Sequence, residues 1–245
     1  MTKKNMIIHD EILIFHALRH RDDQLIVEGL ARNHGRISFV VRISHAPRAK
    51  IRHTIFQPMA VLEVEWEEKP RAKLMRPISA RVSQPWRSLH TSPIKATLTL
   101  FLAEFLMQVC RHEQSGELFF DYLLHSLTWL DTAEEGYANF HLLFLMRLAQ
   151  FLGISPNTSD TSLPFFDLMA AEFVPRAPAH VYYIYGDEAR AFEQLLRMNF
   201  STMHLFRLTR VQRNRILELI LTYYRLHISS LPELKSWEVM REIFT

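Results

Sequence analysis

The sequence predicts an α+β protein, in which an N-terminal barrel of five strands precedes an all-helical domain. Two periodicities support this prediction. Over roughly the first eighty residues, apolar and polar side chains alternate with the period of two that is typical of strands. Beyond Pro85 the apolar residues recur with the helical period of 3.6. We therefore predict a strand domain at residues 1–84 and a helical domain at residues 85–245.

Five segments have the character of strands. They cover residues 11–20, 24–32, 35–43, 59–68 and 72–82. Polar turns separate the first three, and the second of these turns is Asn33-His34-Gly35, whose residues tolerate positive φ. Phe39 and Trp66 could stack on nucleic-acid bases, but they share strand parity with apolar neighbours, which favours the core. Pro77 in the last segment marks an edge or a bulge.

Five strands within about eighty residues, with no helical pattern among the first three, suit a small closed barrel. The five-stranded OB barrel is the common fold of this kind that binds nucleic acid. The long basic connection between the third and fourth segments fits that fold. An SH3-like barrel is the competing assignment, and the period alone does not choose between the two.

The second part of the chain contains six predicted helices. The first begins at Pro93, with Ser92 as its N-cap, and the third runs from a capping box formed by Thr132 and Glu135 to Gly153. The other four cover residues 118–130, 187–198, 209–228 and 236–244. Residues 154–185 are rich in proline and aromatic side chains and show no clear period.

Charge is distributed unevenly along the chain. Residues 1–103 contain 17 Lys and Arg against 9 Asp and Glu, a net charge of +8, whereas residues 104–245 carry a net charge of −5. No acid occurs from Gly29 to Leu62 or from Lys69 to Ala103. Because phosphate binding requires cations without competing acids, we predict a nucleic-acid interface in this part of the chain. The predicted contacts are Arg32, Arg36, Arg42, Arg48, Lys50, Arg52, Arg71, Lys73 and Arg76.

Motifs for catalysis or metal binding are sparse. Cys110 is the one cysteine, so an internal disulfide and a thiolate zinc cage are excluded, and its place on an apolar helix stripe predicts a buried thiol. The sequence has no Gly-rich phosphate loop, no GxSxG elbow and no HExxH pair. We therefore expect no catalytic residue, metal or cofactor. The absence of a signal peptide and of an apolar span predicts a cytoplasmic protein without membrane contact.

Several motifs occur in a characteristic order. They are Asp10-Glu11-Ile12-Leu13, the FQPM stretch 56–59, LLHSLTWLD at 123–131, NFHLLFLMRLAQFLGISPN at 139–157 and YYRLHISSLPELKSWEVMREIF at 223–244. In this arrangement the chain resembles the RecO family of recombination mediators, especially its Bacteroidetes-type members, across almost its whole length. Two departures are evident: residues 153–186 lack the four cysteines of the family's zinc site, and Ile43-Ser44 replace a glycine after the third strand.

The resemblance implies an N-terminal OB domain, a helical domain and a non-enzymatic role. It implies binding of single- and double-stranded DNA, annealing of complementary strands and association with the nucleoid. It further implies RecR as a partner, with which the protein loads the RecA recombinase. It also implies contact with the acidic C-terminal tail of single-stranded DNA-binding protein.

A basic segment in the helical half is the predicted site for that tail. Its cations are Arg207, Arg210, Arg213 and Arg215, and Ile216, Leu217, Ile220 and Leu221 supply apolar surface on the same helix. A basic edge beside an apolar groove suits an acidic peptide that ends in an aromatic residue and a carboxylate. The alternative is that these arginines pair within the chain with Glu188, Glu193 or Glu218.

Two other functions remain open at the level of the sequence. An RNA-binding OB protein of translation or RNA decay would share the basic barrel, and competition between DNA and RNA oligomers distinguishes it. A helical adaptor whose barrel binds another protein would have no affinity for nucleic acid.

Overall fold

A computed structural model of the chain describes residues 6–44, 51–69, 72–110, 116–229 and 231–242. The chain divides into two units. The first comprises Met1–Asp131 with Leu234–Met240, and the second comprises Thr132–Glu233 with Arg241–Thr245. The predicted contacts Arg48, Lys50 and Arg71 lie outside the described residues.

A five-stranded antiparallel sheet forms the first part of the first unit, as the alternation predicts. Its strands are β1 (Ile7–Arg21), β2 (Gln24–Ala31), β3 (Gly35–Arg42), β4 (Val61–Glu67) and β5 (Pro77–Gln84). Their order across the sheet is β3-β2-β1-β4-β5. The outer strands meet where Phe39 and Met75 form a parallel bridge, with Val40 N donating to Met75 O over 2.8 Å. The sheet therefore curls as an OB sheet does, although no continuous ladder among the described residues closes it into a barrel.

The first strand is long enough to pair on both of its edges. Its first half, Ile7 to Leu13, pairs with β4, and the rest, from Ile12 to Arg21, pairs with β2. A register shift near Ile14 bends the strand between these two pairings. One face of the curled sheet encloses an apolar core. Phe39 and Trp66 lie in this core with ring centroids 5.6 Å apart, as their parity favours.

The turn between β2 and β3 is held by a buried carboxylate. Asp10 accepts hydrogen bonds from the backbone and side-chain nitrogens of Asn33, each over 2.9 Å, and lies 2.7 Å from Nδ1 of His34. Gly35 supplies a φ of 68° there, which glycine adopts without strain. The Asn33-His34-Gly35 turn is therefore confirmed.

Two helices follow the sheet in the first unit, and both are predicted by the 3.6 period. They are α1 (Pro93–Val109), with Ser92 at its N-cap, and α2 (Glu117–Thr132), whose last residue, Thr132, belongs to the second unit. Cys110 is buried at the end of α1, as predicted. Glu104 of α1 accepts hydrogen bonds from the backbone nitrogens of Lys235 and Ser236, each over 2.8 Å.

Asp131 fastens the connection between β5 and α1. Its carboxylate accepts hydrogen bonds from the backbone nitrogens of Arg87, Ser88 and Leu89 over 2.7–3.0 Å. The ammonium of Lys95 is buried beside it and donates to the Asp131 carbonyl over 3.1 Å. Lys95 therefore supports the fold, although it lies in the second acid-free window of the sequence.

The second unit combines helices with a small sheet. Its helices are α3 (Phe140–Phe151), α4 (Asp187–Arg197) and α5 (Arg210–His227), and its strands are β6 (Phe165–Asp167), β7 (Glu172–Val174) and β8 (Tyr183–Tyr185). The short helix α6 (Trp237–Glu242) crosses the boundary between the units. The sheet order is β7-β6-β8, in the region where the sequence shows no period.

The predicted start of α3 is wrong. Thr132 is the last residue of α2, and α3 begins at Phe140 with Asn139 at its N-cap. Asn139 instead donates to the carbonyls of Met203 and Phe206, so its position is set by a distant segment rather than by a local capping box. The capping box of α5, which joins Thr209 and Gln212, is formed.

Candidate nucleic-acid interface

A cleft of about 460 Å³ opens on the five-stranded sheet. It is lined by Asp23, Gln24, Val40, Arg42, Ser44, Ile51, Arg76 and Pro77. The strand register explains this assembly, because Gln24 is the direct partner of Arg42 and the Val40–Met75 hydrogen bond brings Arg76 beside β3. Two predicted contacts, Arg42 and Arg76, thus line one cleft although they are 34 positions apart in the sequence.

The cations at this end of the sheet differ in their partners. Arg42 is 83% exposed and lies 3.3 Å from the carboxylate of Asp23. Arg52, Lys73 and Arg76 are exposed and form no ion pair within the described part of the chain. These side chains are therefore free to approach a phosphate without first losing a buried contact.

Arg21 is a further exposed cation on this face that the sequence did not predict as a contact residue. Arg21 is the direct partner of Gln24, which is itself the partner of Arg42, so the three side chains share one face. Arg21 is exposed and has no ion pair among the residues described. It escaped notice because Asp22 and Asp23 follow it directly, so it lies outside the acid-free windows.

An apolar row runs beside these polar groups on the same face. Leu18, Ile26 and Val40 are register partners, and Leu18 is 57% exposed. Aliphatic side chains offer contact to sugars and bases but no hydrogen-bond code. Phe39 and Trp66 lie in the core and not on this face, so the base stacking by these two rings that the sequence left open does not occur here.

Arg32 is engaged within the protein. Its guanidinium bonds to Glu11 over 2.9 Å and to Asp121, and it lies 4.6 Å from the centroid of the Phe120 ring. Burial acts to lower the Arg32 pKa, but the hydrogen bonds that the guanidinium donates to Asp121 and Glu11 outweigh it and raise that pKa. The window from Gly29 to Leu62 contains no acid, but in the folded protein Glu11 and Asp121 pair with Arg32. The prediction that cations in this window have no competing acid is therefore wrong for Arg32.

Arg36 has similar intramolecular partners. It bonds to the carboxylate of Glu28 over 2.5 Å and to the carbonyl of Met107 over 2.6 Å. Its side chain therefore joins the sheet to α1 within the first unit.

We expect Arg32→Ala to reduce stability while leaving affinity for nucleic acid unchanged. The substitution removes two ion pairs and leaves Glu11 without its cation, so the free energy of unfolding should fall by about 2 kcal/mol. Arg52→Ala is the matched control, for which we expect an unchanged melting temperature and weaker binding. Thermal melts and fluorescence anisotropy measure the two properties, and a reversed pattern would contradict the assignment of roles.

The predicted tail-binding arginines have different environments. Arg215 pairs with Glu188 over 2.6 Å and with Glu218 over 3.6 Å, which is the alternative that the sequence left open. Arg213 is half-buried, and burial lowers its pKa. Arg210 donates to the carbonyl of Arg241 over 2.9 Å, whereas Arg207 is exposed.

The apolar surface expected beside these arginines is not available. Four side chains of α5 pack in the interior of the second unit with at most 3% exposure: Ile216, Leu217, Ile220 and Leu221. An amphipathic helix buries its apolar stripe against its own domain unless a groove remains open. The prediction that these four side chains form the apolar side of a groove for the tail is therefore wrong.

No group of three or more His, Cys, Asp or Glu side chains in the described ranges is arranged to hold a metal ion. Among the helices that the structure describes, none combines the length and apolar character required to span a bilayer.

Comparisons with known proteins agree with this architecture. The family profile described as "Recombination protein O N terminal" matches residues 6–86, and "Recombination protein O C terminal" matches residues 90–238. The chain belongs to the RecO family. The five-stranded sheet followed by helices is the arrangement of the RecO N-terminal OB domain and helical C-terminal domain.

Curated RecO relatives match almost the entire chain. The protein named DNA repair protein RecO of Bacteroides fragilis is 42% identical over 234 residues, which are 95% of this chain and 97% of the relative. The protein of the same name from Phocaeicola vulgatus is 39% identical over 234 residues, with the same coverage. That of Azobacteroides pseudotrichonymphae is 32% identical over 240 residues, which are 98% of this chain and all of the relative.

Proposed function

We propose that this RecO family member binds DNA during recombinational repair and anneals complementary strands. The observation that carries the proposal is the cleft lined by the exposed Arg42 and Arg76, with Arg21 in register with Arg42 across Gln24 of the intervening strand. Membership of the RecO family and the relatives named DNA repair proteins support DNA as the ligand. In this proposal residues 1–84 form the nucleic-acid-binding domain and the helical remainder supports partner contacts.

The proposed binding is independent of base sequence. Arginine and lysine recognise the phosphate backbone, which carries no sequence information, and the aliphatic row adds contact area without a hydrogen-bond code. Neutralising phosphates on two strands reduces their mutual repulsion, which is the physical requirement for annealing. The loop cations Arg48 and Lys50, together with Arg52, extend the same proposal to the connection between β3 and β4.

The partner proteins form a further part of the proposal. We propose that RecR acts with this protein to load RecA on single strands coated by single-stranded DNA-binding protein. Arg215 pairs with Glu188, and burial lowers the pKa of Arg213. Arg207 and Arg210 form no ion pair with a described residue, and they are the members of the basic segment that we propose for an acidic tail. We propose a nucleoid-associated location on the same grounds.

Annealing of complementary strands tests the central proposal. Purified protein should accelerate annealing of two oligonucleotides precoated with single-stranded DNA-binding protein, and the acceleration should decline as salt rises. Oligonucleotides of unrelated sequence should bind with similar affinity. An equimolar RNA oligomer that displaces DNA completely would contradict the proposal in favour of an RNA-binding function. Failure to bind either polymer would favour the adaptor function.

A further inference from the structure

The small sheet of the second unit has one buried face and one aromatic face. Phe166, Phe173 and Ile184 point into the interior and are at most 7% exposed. The alternate residues Phe165, Tyr183 and Tyr185 form the opposite side, which we term the aromatic face. Their ring centroids lie 5.8–6.2 Å from one another, so the three rings form a continuous surface.

This surface is open. Tyr185 is 64% exposed, and the adjoining Tyr182 and Val181 are 43% and 84% exposed. Among the residues described, the hydroxyls of Tyr182, Tyr183 and Tyr185 have no hydrogen-bond partner. Exposed apolar surface with unused tyrosine hydroxyls is characteristic of interaction sites, because a tyrosine there contributes both apolar area and a directional donor.

The dimensions of the aromatic face favour a short segment over a folded partner. Three strands of three residues give a surface of roughly 10 Å by roughly 14 Å. A stable complex with a second copy of the chain would bury roughly 800 Å² on each partner, which is several times larger. A polyproline II segment rises about 3.1 Å per residue, so three to four residues match the length of the face.

The charges around the face do not favour a polyanion. Asp187 pairs with Arg190, and the carboxylate of Asp167 lies 3.3 Å from His180 and accepts hydrogen bonds from two backbone nitrogens. Two further charged residues of the described chain, Glu172 and Arg176, flank β7.

These two charges lie at opposite ends of the strand that borders the face. Glu172 begins β7, and Arg176 follows Pro175 beyond its end. A nucleic acid would meet no net positive charge on this surface, whereas a peptide with one cation would be oriented by Glu172.

We propose that the aromatic face binds a proline-rich segment of a partner protein, with a lysine or arginine of that segment next to Glu172. The backbone carbonyls of a polyproline II helix make no internal hydrogen bonds, so the tyrosine hydroxyls can donate to them. The proline rings pack on Phe165 and Tyr185, as in other aromatic-lined sites for such segments. This function is separate from the proposed DNA interface of the first unit.

A fluorescein-labelled peptide of sequence KPPAPPAP provides the test with the full-length protein. We expect saturable binding in fluorescence anisotropy, at least tenfold weaker binding by Tyr185→Ala and about threefold weaker binding by Tyr185→Phe, which lacks the hydroxyl. Leu205→Ala is the matched control, because Leu205 is 66% exposed but belongs to the short 3-10 helix Met203–Leu205 and not to this sheet, and this variant should bind normally. A peptide with glycine in place of every proline should bind weakly.

Several results would overturn the proposal. One is that the wild type shows no saturable binding of the peptide. Another is that Tyr185→Ala and the wild type bind the peptide equally. Competition by oligothymidylate that is lost in Tyr185→Ala would assign the face to nucleic acid. Dimers in sedimentation that dissociate in Tyr185→Ala would assign it to a second copy. Melting temperatures of Tyr185→Phe and Tyr185→Ala establish that each variant is folded.

Discussion

The double substitution Arg42→Glu, Arg76→Glu is expected to weaken DNA binding about a hundredfold at 0.1 M salt, because it removes two phosphate contacts and adds two repulsive charges. Both side chains line the same cleft, and the Arg42 side chain is 83% exposed, so the fold should not depend on them. For the double alanine variant, the slope of log affinity against log salt should become shallower by about 1.4 for single strands. Anisotropy titrations across a salt series measure both quantities.

Arg81→Glu is the matched control for this experiment. Arg81 is 75% exposed on the same sheet, but it pairs with Glu63 over 2.7 Å and does not line the cleft. The single reversals Arg42→Glu and Arg76→Glu change the net charge as much as Arg81→Glu does. An equal loss of affinity for these three single variants would show that net charge alone, rather than the cleft, determines binding.

Asp23→Asn is expected to strengthen DNA binding, in contrast to the substitutions in the cleft. Its carboxylate lies 3.3 Å from Arg42 and competes with phosphate, so removal of this charge should increase affinity about twofold. Asp22→Asn changes the net charge equally and has no contact with Arg42, so its affinity should increase less.

Replacing Asp131 by asparagine is expected to destabilise the first unit by about 3 kcal/mol. The carboxylate accepts three backbone hydrogen bonds, and the neutral amide can accept fewer while placing its own donors against backbone nitrogens. Urea unfolding monitored by tryptophan fluorescence measures the loss. The exposed turn residue Asp22, changed to asparagine, should leave the free energy of unfolding unchanged, and an equally small effect at Asp131 would contradict this role.

The same carboxylate predicts acid sensitivity. Burial acts to raise the Asp131 pKa, but the hydrogen bonds from Arg87, Ser88 and Leu89 outweigh it and hold that pKa below its usual value. The stabilisation is therefore complete above the unfolded pKa of about 4 and is lost as pH falls through the lower folded pKa. In the wild type, stability should decline below about pH 4, and Asp131→Asn should show a smaller decline over the same range.

Local sequence patterns were sufficient for most elements of the fold. The period of two located all five strands of the large sheet, and Ser92-Pro93 marked the start of α1, since these signals come from neighbouring residues. The three strands between residues 165 and 185 escaped prediction because three residues are too few to establish an alternation. The start of α3 was misplaced because Asn139 is fixed by carbonyls 64 and 67 residues away.

By itself, the sequence determined the concentration of positive charge in the first 103 residues, because composition does not depend on folding. Only the tertiary structure decided which of these cations are available. Arg32 lies in an acid-free window, yet its partners Glu11 and Asp121 are 21 and 89 residues distant. Ion pairing depends on distances of a few ångströms in space, and a linear count of charges contains no such information. The fold therefore neutralises Arg32 and Arg36 and leaves Arg52 and Arg76 exposed without an ion pair among the described residues.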